Sequence, residues 1–257
     1  MKLYENLLSA LKYNTKIKSL ILKGFMLSKE INYLNFFQEI SLNKSIENLE
    51  ICSSFLYNAS NESIISLCDY IKNNKIVKTF SLDCTNYSPK TSIIESEMSG
   101  ILTNSLSCNT RIEKLILKRN SVINPYRQHI HSFFGKLNVK EILKRNNTIK
   151  YLDLNGFYYN SYISYDIIRE LSVKDNNNNN LSHIEVIDFS NSGLRNFLPI
   201  VKLLENNNTL KTLYLNNNQF NFQDVIYNDY YNNNNNNTND RNGINFLYNN
   251  SLEYLYL

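Results

Sequence analysis

The sequence predicts an α/β fold of about eight stacked units, each a short strand, a loop, a helix and a turn, with a parallel sheet on one side and helices on the other. Three observations predict it. Apolar residues recur end to end at positions 0, +3, +5 and +10 of a common template; an Asn-containing phrase precedes most copies; and an amphipathic helical pattern precedes the phrase. A lone strand–helix unit cannot bury its apolar side, whereas stacked units bury a continuous core.

The first element, "MKLYENLLSALKYN", places Leu3, Leu7, Leu8 and Leu11 on one helical face, so residues 1–16 read as an N-terminal capping helix. The template then appears at Ile17-Leu20-Leu22-Leu27, Ile46-Leu49-Ile51-Leu56, Val77-Phe80-Leu82-Tyr87 and Ile112-Leu115-Leu117-Val122. It continues at Ile149-Leu152-Leu154-Tyr159, Ile184-Ile187-Phe189-Leu194 and Leu210-Leu213-Leu215-Phe220, and ends in the partial copy Leu252-Leu255-Leu257. Successive copies start about 26 to 42 residues apart. The preceding phrase is apolar-x-x-Asn-x-Thr/Ser/Lys-apolar, as in "LKYNTKI", "ISLNKSI", "LSCNTRI", "LKRNNTI" and "LENNNTL". Helical faces before it include Ile64, Leu67, Cys68 and Ile71, then Ile130, Phe133, Phe134 and Leu137, and the segment Ile167–Leu171.

This pattern resembles the leucine-rich repeat proteins of the ribonuclease-inhibitor-like type, whose long units contain helices. The resemblance covers nearly the whole chain and rests on the phrase N-x-T-L-x-x-L-x-L-x-x-N, complete in "NNTLKTLYLNNN". It implies a horseshoe solenoid with the parallel sheet on the concave face, the helices on the convex face, and binding of other proteins as the commonest role. The +8 Asn that holds the turn in this family is present here only as Asn120 and Asn218. Elsewhere the position is Phe25, Ser54, Thr85, Phe157 or Ser192, and the bulky Phe predicts loosened or shifted turns in the first and fifth units.

The whole chain, 1–257, is expected to be a single repeat domain with Asn-rich loop inserts at 175–180 and 228–242 and an incomplete last repeat. A last strand ending on inward anchors leaves an apolar edge, the expectation for a fragment of a larger repeat protein or for an edge covered by a partner.

Composition fits a folded chain: hydrophobic residues make up 42% and charged ones 19%. A formal charge of +4 is well short of a nucleic-acid-binding stripe, so no nucleic-acid partner is expected. No apolar run reads as a signal peptide or approaches the roughly 18 residues of a membrane span, which predicts a cytoplasmic protein without a membrane partner. Cys52, Cys68, Cys84 and Cys108 are widely spaced and read as reduced buried thiols.

Candidate binding residues are those the strands would turn outward, at +2, +4, +6 and +7. They are Glu50, Asp83, Lys114, Lys118, Arg119, Tyr151, Asp153, Asp188, Tyr214 and Tyr256. Lys114, Lys118 and Arg119 would form a basic spot flanked by acidic residues, and Tyr214, Tyr254 and Tyr256 an aromatic patch; Tyr and Arg are favoured interface anchors. Asp153 and Asp188 share a column, which would bring their carboxylates within roughly 5 Å. No cleft or further ligand accompanies them, so no catalytic residue, cofactor or metal is expected. His129 and His131 read as helix-surface residues, because i and i+2 diverge on a helix. The resulting expectation is a non-catalytic scaffold that binds a protein partner, of identity not carried by the sequence, on the concave sheet face. The alternative is a regulator of a small GTPase resembling the Ran GTPase-activating proteins, although their acidic tail has no counterpart here.

Overall fold

A computed structural model describes residues 2–23, 33–52, 60–83, 92–118, 137–156, 161–173, 183–221, 249 and 251–257. Among them eight strands alternate with seven helices, and the strands within each unit pair in parallel. The α/β repeat architecture expected from the template is therefore present. The chain divides into two compact units, Met1–Asp153 and Leu154–Leu257.

The first unit contains α1 (Lys2–Tyr13), β1 (Ser19–Leu22), α2 (Tyr33–Ile40), β2 (Asn48–Cys52), α3 (Asn61–Asn73), β3 (Thr79–Asp83), α4 (Ser92–Cys108), β4 (Lys114–Lys118), α5 (Val139–Arg145) and β5 (Tyr151–Asp153). Its five strands pair in chain order, and the +2 residues Ser19, Asn48, Thr79, Lys114 and Tyr151 lie in one cross-strand row. The second unit contains α6 (Ser161–Leu171), β6 (Val186–Asp188), α7 (Leu198–Asn206), β7 (Thr212–Tyr214) and β8 (Tyr254–Tyr256), its three strands again in chain order.

Burial follows the template. The anchors at 0, +3 and +5 are buried in copies two to seven, with Phe80, Leu115, Leu152, Ile187 and Leu213 fully enclosed. The first copy is looser, with Ile17 and Leu20 half-buried. In the last, Leu255 is 39% exposed although its counterparts in copies two to seven are at 0–1%. Ile64, Leu67, Cys68 and Ile71 of α3 are all buried, as expected. On α1 Leu8 and Leu11 are buried, whereas Leu7, expected on the same face, is 44% exposed because a stripe centred on Leu8 and Leu11 leaves it at the margin. Local signals set the helix starts. The Ser60 side chain caps α3 by accepting from Ser63 N, and Asn138 caps α5 by accepting from Glu141 N. Pro199 sits in the first turn of α7, where a missing N–H is harmless.

The Asn of the repeated phrase does structural work beyond marking register. It stands three residues before the strand anchor in every copy but the sixth, where Leu181 takes its place, and its side-chain oxygen accepts from the N–H groups two and three residues on. Asn43 does this for Ser45 and Ile46, Asn109 for Arg111 and Ile112, and Asn207 for Thr209 and Leu210. Its amide then reaches back one unit. Asn43 Nδ2 donates to Leu11 O and Asn14 O, Asn109 Nδ2 to Ile71 O and Asn74 O, and Asn146 Nδ2 to Leu106 O and Asn109 O. Within the second unit Asn249 Nδ2 donates to Leu204 O and Asn207 O. These amides occupy donors and acceptors at helix ends that would otherwise be buried unpaired.

The +8 turn is described only in the second unit. There Asn218 donates to Phe189 O and Leu215 O and accepts from Ser192 N and Leu194 N, the role the family resemblance implied. One position earlier the backbone is left-handed: φ is 57° at Asn191, 58° at Asn217 and 81° at Gly156. Asn and Gly are the residues that tolerate this conformation. Phe25, Ser54, Thr85, Asn120 and Phe157 lie outside the described residues, as do the inserts at 175–180 and 228–242. No described helix is long and apolar enough to cross a membrane.

Candidate functional site

Strand pleating turns the +2, +4 and +6 side chains away from the helices, so the candidate residues occupy the outward face of each unit's sheet. In the first unit Glu50 is the centre. Its carboxylate is 2.9 Å from Lys23 Nζ of the strand-one copy and accepts from Lys118 Nζ of β4 at 3.1 Å. Burial works against ionisation of Glu50, yet the two ammonium groups outweigh it and hold the carboxyl below its ordinary value. Beside it, Cys52 Sγ lies 3.8 Å from Asp83 Oδ2. Burial, then the negative charges of Asp83 and Glu50, push the Cys52 thiol up to about 11.

The basic spot expected from Lys114, Lys118 and Arg119 takes a different form. Lys118 is committed to Glu50, while Lys114 Nζ sits 3.8 Å above the Tyr151 ring in a cation–π contact. Arg119 lies outside the described residues, as do His129, His131 and Cys84. Asp153 ends β5 in register with Ile116.

In the second unit Asp188 accepts from Ser190 N at 2.7 Å and from Asn155 Nδ2 at 3.3 Å. Tyr214 and Tyr256 stack with ring centroids 4.6 Å apart and planes 12° from parallel, and Tyr254 continues the stack at 6.4 Å from Tyr256. Tyr254 is 55% and Tyr256 42% exposed. The aromatic patch is thus a preformed column of rings, held by β7–β8 pairing at Thr212↔Tyr254 and Tyr214↔Tyr256. His183 is exposed ahead of β6. Among the described cysteines Cys52 and Cys68 are buried free thiols, as expected, and Cys108 is half-buried.

Two sets of residues escaped the sequence reading. Lys23, Cys52 and Ser81 complete the cluster around Glu50 and Asp83; their columns were legible, but nothing in the sequence said that three strands would converge on one carboxylate. The second set is the +1 column: Lys18, Glu47, Lys78, Glu113, Lys150, Glu185, Lys211 and Glu253 alternate in sign through all eight copies. Glu47 is bridged by Lys18 at 2.8 Å and Lys78 at 2.9 Å, and Glu185 by Lys211 at 2.7 Å. Hydrogen bonds from Lys18 and Lys78 take the Glu47 carboxyl down to about 2. Reading the column from copy to copy would have shown this signal.

No protein-family model matches the sequence, and no curated protein matches it. Among solved structures, the actin-binding site 2 of leiomodin-1 is similar at 15% identity and a TM-score of 0.42, over 58% of this chain and 77% of that one.

Proposed function

We propose that the chain is a non-catalytic scaffold that captures a protein partner on the outward, concave face of its sheets. The observation that carries this reading is the column Tyr214–Tyr256–Tyr254, half-buried at Tyr214 and exposed at the other two rings. Three rings held parallel by the backbone form a rigid amphipathic surface that loses little side-chain entropy on binding, the character of an interface anchor. The first unit offers charges of both signs in fixed register around Glu50 and Asp83, which favours a partner of complementary pattern over a uniformly charged polymer. Shape and charge complementarity then do the work, with no bond made or broken.

Quantitative affinity capture from native lysate, read by mass spectrometry, tests the proposal. The double variant Tyr214→Ala/Tyr256→Ala is expected to lower recovery of the wild-type partner about tenfold or more, as for hot-spot truncation. Lys114→Glu/Lys118→Glu/Arg119→Glu should weaken it as well. A control on the exposed helix surface, Asp166→Lys/Arg169→Glu, should leave it unchanged. Equal recovery with all three variants defeats the reading.

A further inference from the structure

Four side chains of the first unit stand at the corners of a rectangle on the outward face. Glu50 and Cys52 lie on β2, Ser81 and Asp83 on β3, with Glu50 opposite Ser81 and Cys52 opposite Asp83. Backbone geometry alone would set the edges at about 4.8 Å between strands and about 6.6 Å along each strand. The side chains close that gap: one oxygen from each carboxylate and Cys52 Sγ all lie within 4.8 Å of one another. At the fourth corner Ser81 is only 3% exposed, and its hydroxyl has no hydrogen-bond partner. A buried hydroxyl left unpaired is destabilising and calls for an explanation. Its register position, beside Glu50 and two residues before Asp83, turns it toward the same cluster.

We propose that Glu50, Cys52, Ser81 and Asp83 form a binding site for a thiophilic divalent cation, Zn²⁺ before others. The donor set is one sulfur and three oxygens. The thiol selects against Ca²⁺ and Mg²⁺, which take six or more oxygens. Tetrahedral Zn²⁺ with ordinary Zn–S and Zn–O bonds needs a sulfur–oxygen separation of about 3.6 Å. Cys52 Sγ and Asp83 Oδ2 already stand at 3.8 Å. The cation would supply the ligand that Ser81 lacks. It would also compete with Lys23 and Lys118 for Glu50; their side chains are 56% and 41% exposed, so a displaced ammonium swings into water without an unpaired burial. Binding replaces the Cys52 S–H bond by an S–metal bond, and the thiol proton leaves to solvent. The proposal does not depend on the protein-binding reading and is tested without any partner.

Co²⁺ is the probe, added to the purified, metal-stripped full chain. The expected result is one equivalent per chain, a near-ultraviolet thiolate-to-cobalt charge-transfer band, visible bands of a four-coordinate ion, and bleaching by Zn²⁺. Cys52→Ser should abolish the charge-transfer band, while Cys68→Ser, Cys84→Ser and Cys108→Ser keep it. Ser81→Ala should lower affinity about tenfold and Asp83→Asn about tenfold to a hundredfold. Circular dichroism of each variant, matched to the wild type, separates loss of site from loss of fold. The proposal is overturned by a folded chain that gives no band, by a band that survives Cys52→Ser, or by affinities indifferent to both Ser81→Ala and Asp83→Asn.

Discussion

Asn109 Nδ2 donates to the carbonyl of Ile71 at 2.6 Å, joining the end of one helix to the end of the helix before it, 38 residues earlier in the chain. The same side chain donates to Asn74 O and accepts from Arg111 N and Ile112 N. It is 2% exposed, so water replaces none of the four bonds. Asn109→Ala is therefore expected to destabilise the protein by about 2–4 kcal/mol, since it strands buried groups on both neighbouring segments. Asn109→Asp should be nearly as harmful, because it keeps both accepted bonds but faces two carbonyls without a donor. Asn73→Ala, which loses one exposed bond to Asp69 O, should stay within about 0.5 kcal/mol. Equilibrium urea unfolding compares the three.

Glu47 gives the stability a defined pH signature. Its carboxyl titrates at about 2 in the fold against an ordinary value of 4.5. A depressed carboxylate contributes stability that is fully present above the unfolded value and lost as pH falls through the folded one. The urea midpoint should thus fall between about pH 4.5 and 2, and Glu47→Gln should flatten that part of the profile. Added salt should shrink the difference between the two proteins, because Lys18 and Lys78 reach Glu47 at the surface.

Lys211→Glu would set three acidic residues side by side at Glu185, position 211 and Glu253. Like charges directly opposite on neighbouring strands repel. A lower melting temperature is expected, with most of the loss recovered at high ionic strength. Lys202→Glu on α7, away from the column, should change the melting temperature far less.

The left-handed turn residues supply a backbone test. Asn217 has φ of 58°, which a β-branched residue resists. Asn217→Gly should leave stability close to wild type, whereas Asn217→Val should lose about 1–2 kcal/mol, measured by thermal or urea unfolding.

Phe80 is fully enclosed at the +3 anchor of β3, and Phe80→Ala should destabilise by about 3–5 kcal/mol through the cavity it leaves. Tyr254→Ala, on an exposed strand, provides the contrast.

The parts of the fold carried by periodicity were legible. Anchors at 0, +3 and +5 announce themselves because a parallel strand against helices must bury the same positions in every copy, and Leu115, Leu152 and Leu213 do so. Cross-strand register was legible for the same reason: equal template positions, such as Glu50 and Ser81, stand opposite each other. What a template cannot show is where long side chains end. Lys118 reaches back past β3 to Glu50, and Lys114 folds over Tyr151, choices made by reach and local charge rather than by column. The phrase Asn was recognised as a marker, but its grip on the preceding helix is visible only once Asn109 and Ile71 are in space together.

The alternating +1 column imposes a parity rule on how such a chain can change length. If the single segment from Glu47 to Val77 were excised, Lys18 would meet Lys78 across the new strand pair, and every later pairing would stay in phase. One removal therefore leaves one permanent like-charge fault, while removing two consecutive units leaves none. Growth obeys the same arithmetic. Duplications of this repeat should be tolerated in twos, and an engineered array that copies a strand–helix unit singly will need one charge reversed at the junction to be as stable as its parent.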